Sequence, residues 1–215
     1  LPENGFTDNH ASLGYMASMY HLFTHAMFKA TLFLCAGCII HAVHSNEMAF
    51  MGGMRKYMPV THITFLIACL AISGIPPFSG FFSKDEILAA AFQYMPLMGW
   101  IMTVIAGMTA FYMFRLYYGI FWGTENKEYH TQHVPHESPA VMTVPLILLT
   151  VITLTVGWIL PGGFGSYVSA TGEAYHIHLD WSVAGTSIVV AVVAILLATW
   201  IYVRDRQPIA ENMKA

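Results

Sequence analysis

The chain has 215 residues, 56% of them apolar and only 10% charged, with a mean hydropathy of +0.57. Soluble domains run at about 45–50% apolar and about 25% charged, so the composition excludes a soluble domain and, with so little charge, a disordered one. Lys and Arg number 9 against 12 Asp and Glu, with no basic run, which excludes a nucleic-acid binder; Cys35, Cys38 and Cys69 all lie in apolar stretches and argue against a disulfide scaffold.

The first ten residues, LPENGFTDNH, are polar and begin with Leu1. No basic segment leads into a short apolar core, so no signal peptide is expected, and the chain is expected to be a fragment. Five apolar stretches follow, each of about 20 residues or more, enough to cross about 30 Å of hydrocarbon as a helix. The predicted fold is therefore all-α and polytopic, because an open sheet would leave backbone groups unpaired in lipid.

The first predicted span is about 12–43 and carries the most informative residues. His21, His25 and Lys29 recur at steps of four, which places them on one helix face. Lys29 has seventeen residues of that span before it and fourteen after, so it lies near mid-membrane with little room to snorkel. A lysine at the centre of a span costs roughly 2.5–3.5 kcal/mol on insertion scales, and marks a functional candidate. Imidazole accepts and donates a proton near neutral pH. Such a row suits proton relay; the alternative is a packed polar face paired with a carboxylate elsewhere. Cys35-Ala-Gly-Cys38 is expected to pack as small residues rather than act in redox chemistry.

The second span begins near residue 59 and runs into SGIPPFSGFFSKDEIL, residues 73–88. Pro76 and Pro77 lack the N–H that a helix needs, and Gly74 and Gly80 permit sharp bends. A new helix is expected to start at Ser83, with Glu86 completing a capping box. Lys84 then falls in the first turn, where the helix dipole opposes its charge and Asp85 and Glu86 favour it. The stretch from Val60 to Phe92 is long for one crossing and suits a helix broken inside the membrane. Local features also allow two ordinary spans joined by a Ser-Lys-Asp-Glu loop.

The third span covers about 97–122, with Arg115 as a snorkelling anchor toward its end. The loop TENKEYHTQHVPHES lacks compact metal-ligand spacing and is expected to be solvated. The fourth and fifth spans, 139–160 and about 182–203, contain no charged residue. Arg55, Lys56, Lys127, Arg204, Arg206 and Lys214 all fall on one side of a five-span arrangement, which makes that side cytoplasmic and puts residue 1 outside.

Taken in order, HLFTHAMFKATLFLCAGCIIHAVH, MGGMRKYMPVTHITFLIACLAISGIPPFSGFFSKDEIL, FYMFRLYYGIFWG and HESPAVMTVPLILL resemble one family. It is that of the largest antiporter-like subunit of respiratory complex I, the NADH-quinone oxidoreductase, called subunit L in bacteria and subunit 5 in mitochondria. The resemblance implies a helix broken at Gly74-Ile75-Pro76-Pro77. It implies that residues 1–122 form part of the second antiporter-like repeat, and that residues 123–215 form two additional helices and a truncated linker to a lateral helix. It implies proton relay through His21, His25, Lys29, Lys84 and Asp85, coupled to quinone reduction elsewhere. No redox site, metal or other cofactor is expected in this chain. The implied partners are the lipid bilayer and other membrane-arm subunits, above all a neighbouring antiporter-like subunit. The implied location is a bacterial cytoplasmic membrane. Competing expectations are an Mrp-type sodium/proton antiporter or membrane hydrogenase subunit, and, from another class, a membrane protein binding metal or haem through His21 and His25 with His41 or His44.

Overall fold

A computed structural model describes residues 9–132, 134–159 and 180–203, and every extended element among them is helical. Helix α1 spans Asn9–Val43; two short 3-10 turns, Met48–Phe50 and Met54–Lys56, lead into α2, Pro59–Ser73. Then come α3, Ser79–Tyr94, α4, Pro96–Phe121, and the short α5, Lys127–Gln132. Helix α6 spans Ala140–Ile159, and the last described helix, α7, spans Trp181–Tyr202. Four of these, α1, α4, α6 and α7, are long and apolar enough to cross a bilayer, and α2 is a shorter apolar helix. The protein is a polytopic helical membrane protein.

The surface is that of a bundle in lipid. Phe33 is 69% exposed, Val141 84% and Leu196 61%, side chains a soluble domain would bury. The interior uses smaller residues where backbones come close. Gly107 on α4 faces Val190 on α7, and Ala110, Ala191 and Ala194 complete that seam. A larger core of Phe28, Phe65, Tyr117, Phe121, Met54 and Met58 fills the space between α1, α2 and α4.

Helices α2 and α3 follow one another along α1 as a single interrupted crossing. Thr61 and Thr64 of α2 meet Cys35, whereas Gly80 and Ser83 of α3 meet Phe28, Thr24 and His21. Along α4 the order is likewise antiparallel, from His62 at Tyr117 through Cys69 at Met113 to Phe92 at Gly99. Each half is 15 or 16 residues. Residues 1–8, 133, 160–179 and 204–215 lie outside the described residues, and with them Arg204, Arg206, Lys214 and the expected outward position of residue 1.

Two expectations are corrected. Helix α3 starts at Ser79, behind Phe78, so Ser83 is not its cap and Lys84 is its sixth residue. The Ser-x-x-Glu pattern is present, but the hydroxyl of Ser83 is taken by α1 instead of a backbone N–H. The loop after α4 is not merely solvated. His130 is 5% exposed with Nε2 3.0 Å from the Phe50 carbonyl, the Tyr129 hydroxyl donates to the Val43 carbonyl, and Glu125 accepts a hydrogen bond from Tyr57. Glu137 accepts from the backbone N–H groups of Val60 and Thr61, at 2.8 and 3.3 Å, and from the Thr61 hydroxyl at 2.6 Å. It therefore caps α2 from a distance, since Met58 at the cap position makes no side-chain bond.

Candidate functional site

The site begins with the backbone of the break. Gly74 closes α2 at φ +77°, a left-handed conformation that needs glycine. Its N–H returns to Ala71 and Leu70, and the Ile75 N–H returns to Leu70. Pro76 and Pro77 then carry the chain across, joined by a cis bond. Gly80 brings α3 back so closely that any Cβ there would be driven into the Ala71 carbonyl oxygen. Trp158 of α6 donates its indole N–H to the Pro77 carbonyl at 3.0 Å, which satisfies one acceptor that the break leaves open.

Lys84 satisfies another. Its side chain runs past Gly74 and its Nζ donates to the Ile72 carbonyl at 2.9 Å. The ammonium thus sits at the C-terminal end of α2, where the last carbonyls and the helix dipole favour a cation. This reverses the expectation of an opposing dipole: the end of α2, not the start of α3, sets its surroundings.

Next to the break, α1 contributes a polar cluster. The Thr24 hydroxyl lies 2.7 Å from Ser83 Oγ and 3.1 Å from the His21 carbonyl, and Ser83 Oγ lies 3.0 Å from His21 Nδ1. The rings of His21 and His25 are 5.7 Å apart, and His25 meets the edge of Phe28 at 5.2 Å. His21 is within electrostatic reach of His25 and Lys84, and His25 of Lys84 and Lys29. Three of the five predicted relay residues, His21, His25 and Lys84, therefore gather around one point. Hydroxyls and imidazoles are donors and acceptors at once, so such a cluster can pass a proton by hydrogen-bond exchange.

Lys29 and Asp85 stand differently. Lys29 is exposed on the outer face of α1, in line with Leu22 and Phe33. Asp85 is 2% exposed, and neither of its carboxylate oxygens has a hydrogen-bond partner among the described residues. Adjacent on the helix, Lys84 and Asp85 point apart and form no ion pair among the described residues. Glu86 and Asp180 are the carboxylates within reach of Asp85. Among the described residues no three His, Cys, Asp or Glu side chains converge as metal ligands.

Sequence reasoning read Ser83 only as a helix cap and did not bring Tyr20 or Trp158 to the site. Ser83 carried a signal, a hydroxyl next to Lys84, which the capping pattern obscured. The Tyr20 hydroxyl donates to the Gly157 carbonyl, and that tie, like the indole bond of Trp158, joins helices 137 and 81 residues apart in sequence.

Residues 7–110 match the family described as NADH:quinone oxidoreductase/Mrp antiporter, TM. The chain is 41% identical to NAD(P)H-quinone oxidoreductase chain 5 of a Picosynechococcus species, over 90% of this chain and 35% of that protein. It is 38% identical to the protein of the same name from a Synechocystis species, over 87% of this chain and 36% of that one. The chloroplastic subunit 5 of Chaetosphaeridium globosum is 47% identical, over 71% of this chain and 25% of its own length. The chain spans about a third of the length of the curated relatives it matches.

Proposed function

We propose, given that this chain belongs to the antiporter-like transmembrane family of NADH:quinone oxidoreductases and Mrp antiporters, that it is part of subunit 5 of an NAD(P)H-quinone oxidoreductase and conducts protons through the membrane. Redox chemistry on other subunits drives the transfer. The observation that carries this is the seat of Lys84, an ammonium held on the open carbonyl of a broken helix beside His21, His25, Thr24 and Ser83. A proton reaching His25 passes to His21 and Ser83, and exchanges with Lys84. Asp85, buried and without a hydrogen-bond partner among the described residues, is the next candidate acceptor along α3.

Lys29 opens on a face that other protein covers. A lysine left in hydrocarbon is costly, and relatives about three times as long contain chain enough to pack there. Lys29 then passes charge between this site and a neighbouring one. In the same reading, residues 1–122 belong to an antiporter-like repeat and 123–215 to helices beyond it. The partners are other membrane-arm subunits, and the six-cation side is the one from which protons are taken up. The membrane is a bacterial cytoplasmic one; relatives named as chloroplastic mark a second setting for the same machinery.

The test uses the full-length subunit in its complex, in sealed vesicles, with proton uptake followed by a pH-sensitive dye during quinone reduction. His25→Ala and Lys29→Ala are each expected to lower proton transfer about a hundredfold or more, the loss typical of removing a proton-transfer group. Unchanged transfer in both variants would overturn the assignment. Transfer that follows sodium instead of pH would favour the Mrp-type antiporter named in the family description.

A further inference from the structure

Helices α4 and α7 enclose an apolar groove of about 520 Å³ on the outside of the bundle. Val104, Met108 and Tyr112 form one wall, Val189, Val193 and Leu197 the other, and Gly107 forms the floor where α4 meets Val190. The walls are half exposed, from 49% at Val193 and Leu197 to 63% at Met108. On α4 the same face continues one turn further to Arg115, which is exposed. Its guanidinium lies 5.8 Å from the ring of Tyr202, at the end of α7, and makes no ion pair among the described residues. The groove and the cation are thus continuous: an open apolar slot along α4 and α7, ending in a guanidinium beside the ring of Tyr202 and without an ion pair among the described residues.

We propose that this groove binds an anionic glycerophospholipid, with one acyl chain between α4 and α7 and the phosphate on Arg115. The charge decides the occupant. A guanidinium inside the bilayer is expensive when unpaired, and its planar fork matches two phosphate oxygens. An apolar helix from another protein would fill the slot but leave Arg115 without an anion. The lipid belongs to the leaflet at the Phe121 end of α4, because Arg115 lies six residues from that end. A lipid clamped on both helices would hold α7 against the bundle, where its described contacts are mainly small residues and the Tyr118–Thr199 hydrogen bond of 2.7 Å. The proposal needs only the membrane setting and does not depend on proton transfer.

The experiment places the complete complex in phosphatidylcholine nanodiscs. One sample contains phosphatidylglycerol with a photoreactive group in the acyl chain, the other phosphatidylcholine with the same group, and labelled peptides are mapped. Phosphatidylglycerol is expected to label α4 near Met108 and α7 near Val193, and phosphatidylcholine to label them far less. Arg115→Gln should lower the phosphatidylglycerol label about tenfold, the loss of one charge-assisted contact, with Arg115→Lys in between. Equal labelling by the two lipids, or labelling that ignores Arg115→Gln, would show a snorkelling side chain in ordinary lipid and overturn the site. Absent lipid label would show a groove filled by protein and overturn it too. Should Arg115→Gln fail to assemble, the comparison of the two lipids on the unmodified complex still decides.

Discussion

Lys84 shows how one residue can be both costly and stable. A lysine charge in a membrane core costs roughly 2.5–3.5 kcal/mol. A hydrogen bond from a charged donor returns about 1.5–3 kcal/mol, and the end of a helix dipole about 0.3–1 kcal/mol more. The two sides nearly cancel, so the ammonium is held with little energy to spare, as the proposed proton transfer would require. Gly80 is the residue on which this depends, because α3 can return to the end of α2 only where no Cβ meets the Ala71 carbonyl. Gly80→Ala should separate the two halves and lower the yield of assembled complex, read on native gels; normal assembly and activity would contradict the close approach. A second residue-scale prediction concerns the loops outside the membrane. The Tyr57 hydrogen bond holds the Glu125 carboxyl below the usual carboxylate range, and Glu125 in turn pushes the Tyr57 phenol up. The lowered carboxyl contributes stability above the ordinary value of about 4.3, lost as pH falls through its folded value. The raised phenol contributes stability below about 10, lost as pH rises through its folded value. The protection of amides in segments 48–58 and 124–132 against hydrogen exchange, taken relative to the intrinsic rate at each pH, should therefore be greatest between those limits and smaller on either side, and Tyr57→Phe should flatten both flanks. A profile unaffected by Tyr57→Phe would contradict the link.

At the scale of elements, α2 is held at both ends by residues from elsewhere. Glu137 supplies the acceptor at its start and Lys84 the donor at its finish. A lost N-terminal cap costs about 0.5–2 kcal/mol. Glu137→Ala should thus speed exchange of the Val60 and Thr61 amides about tenfold, with little change at Lys84; unchanged exchange would mean that water replaces the carboxylate. These long-range ends explain what was legible in the sequence. Hydropathy located α1, α4, α6 and α7 to within a few residues, because lipid leaves a helix no other choice. The break was legible in part: Pro76 and Pro77 have no N–H to give, yet local features also allowed two ordinary spans, and the family resemblance chose between them. The start of α3 was not. Ser83 and Glu86 form a good local cap, but the packing of Gly80 on α2 and the pull of Thr24 and His21 on Ser83 extend the helix back to Ser79. The loop 124–137 was misjudged for the same reason: its polar composition says solvent, while its partners Tyr57, Phe50, Val43 and Val60 come from distant segments.

Across the whole molecule, the candidate site lies where α1 meets the interrupted crossing, with α6 tied over the break. The helical spacing of His21, His25 and Lys29 was visible in the sequence, and so was the polar character of their face. Spacing alone could not show that this face turns along its length, from His21 packed on α3 to Lys29 at the outer surface. Nor could it show that Lys84 bonds a carbonyl and leaves Asp85 unpaired, because that follows from the distance between two helix ends. The central claim is that Lys84 gains and loses a proton where it sits. The measurement that tests it most directly is proton transfer by the complex carrying Lys84→Arg in the full-length subunit. Arginine keeps the charge and can donate to the Ile72 carbonyl, but it does not give up its proton. The complex should assemble and reduce quinone while proton transfer falls as far as in Lys84→Met. Proton transfer by Lys84→Arg at the unmodified rate would show a fixed charge that only holds the broken helix together, and would contradict the account.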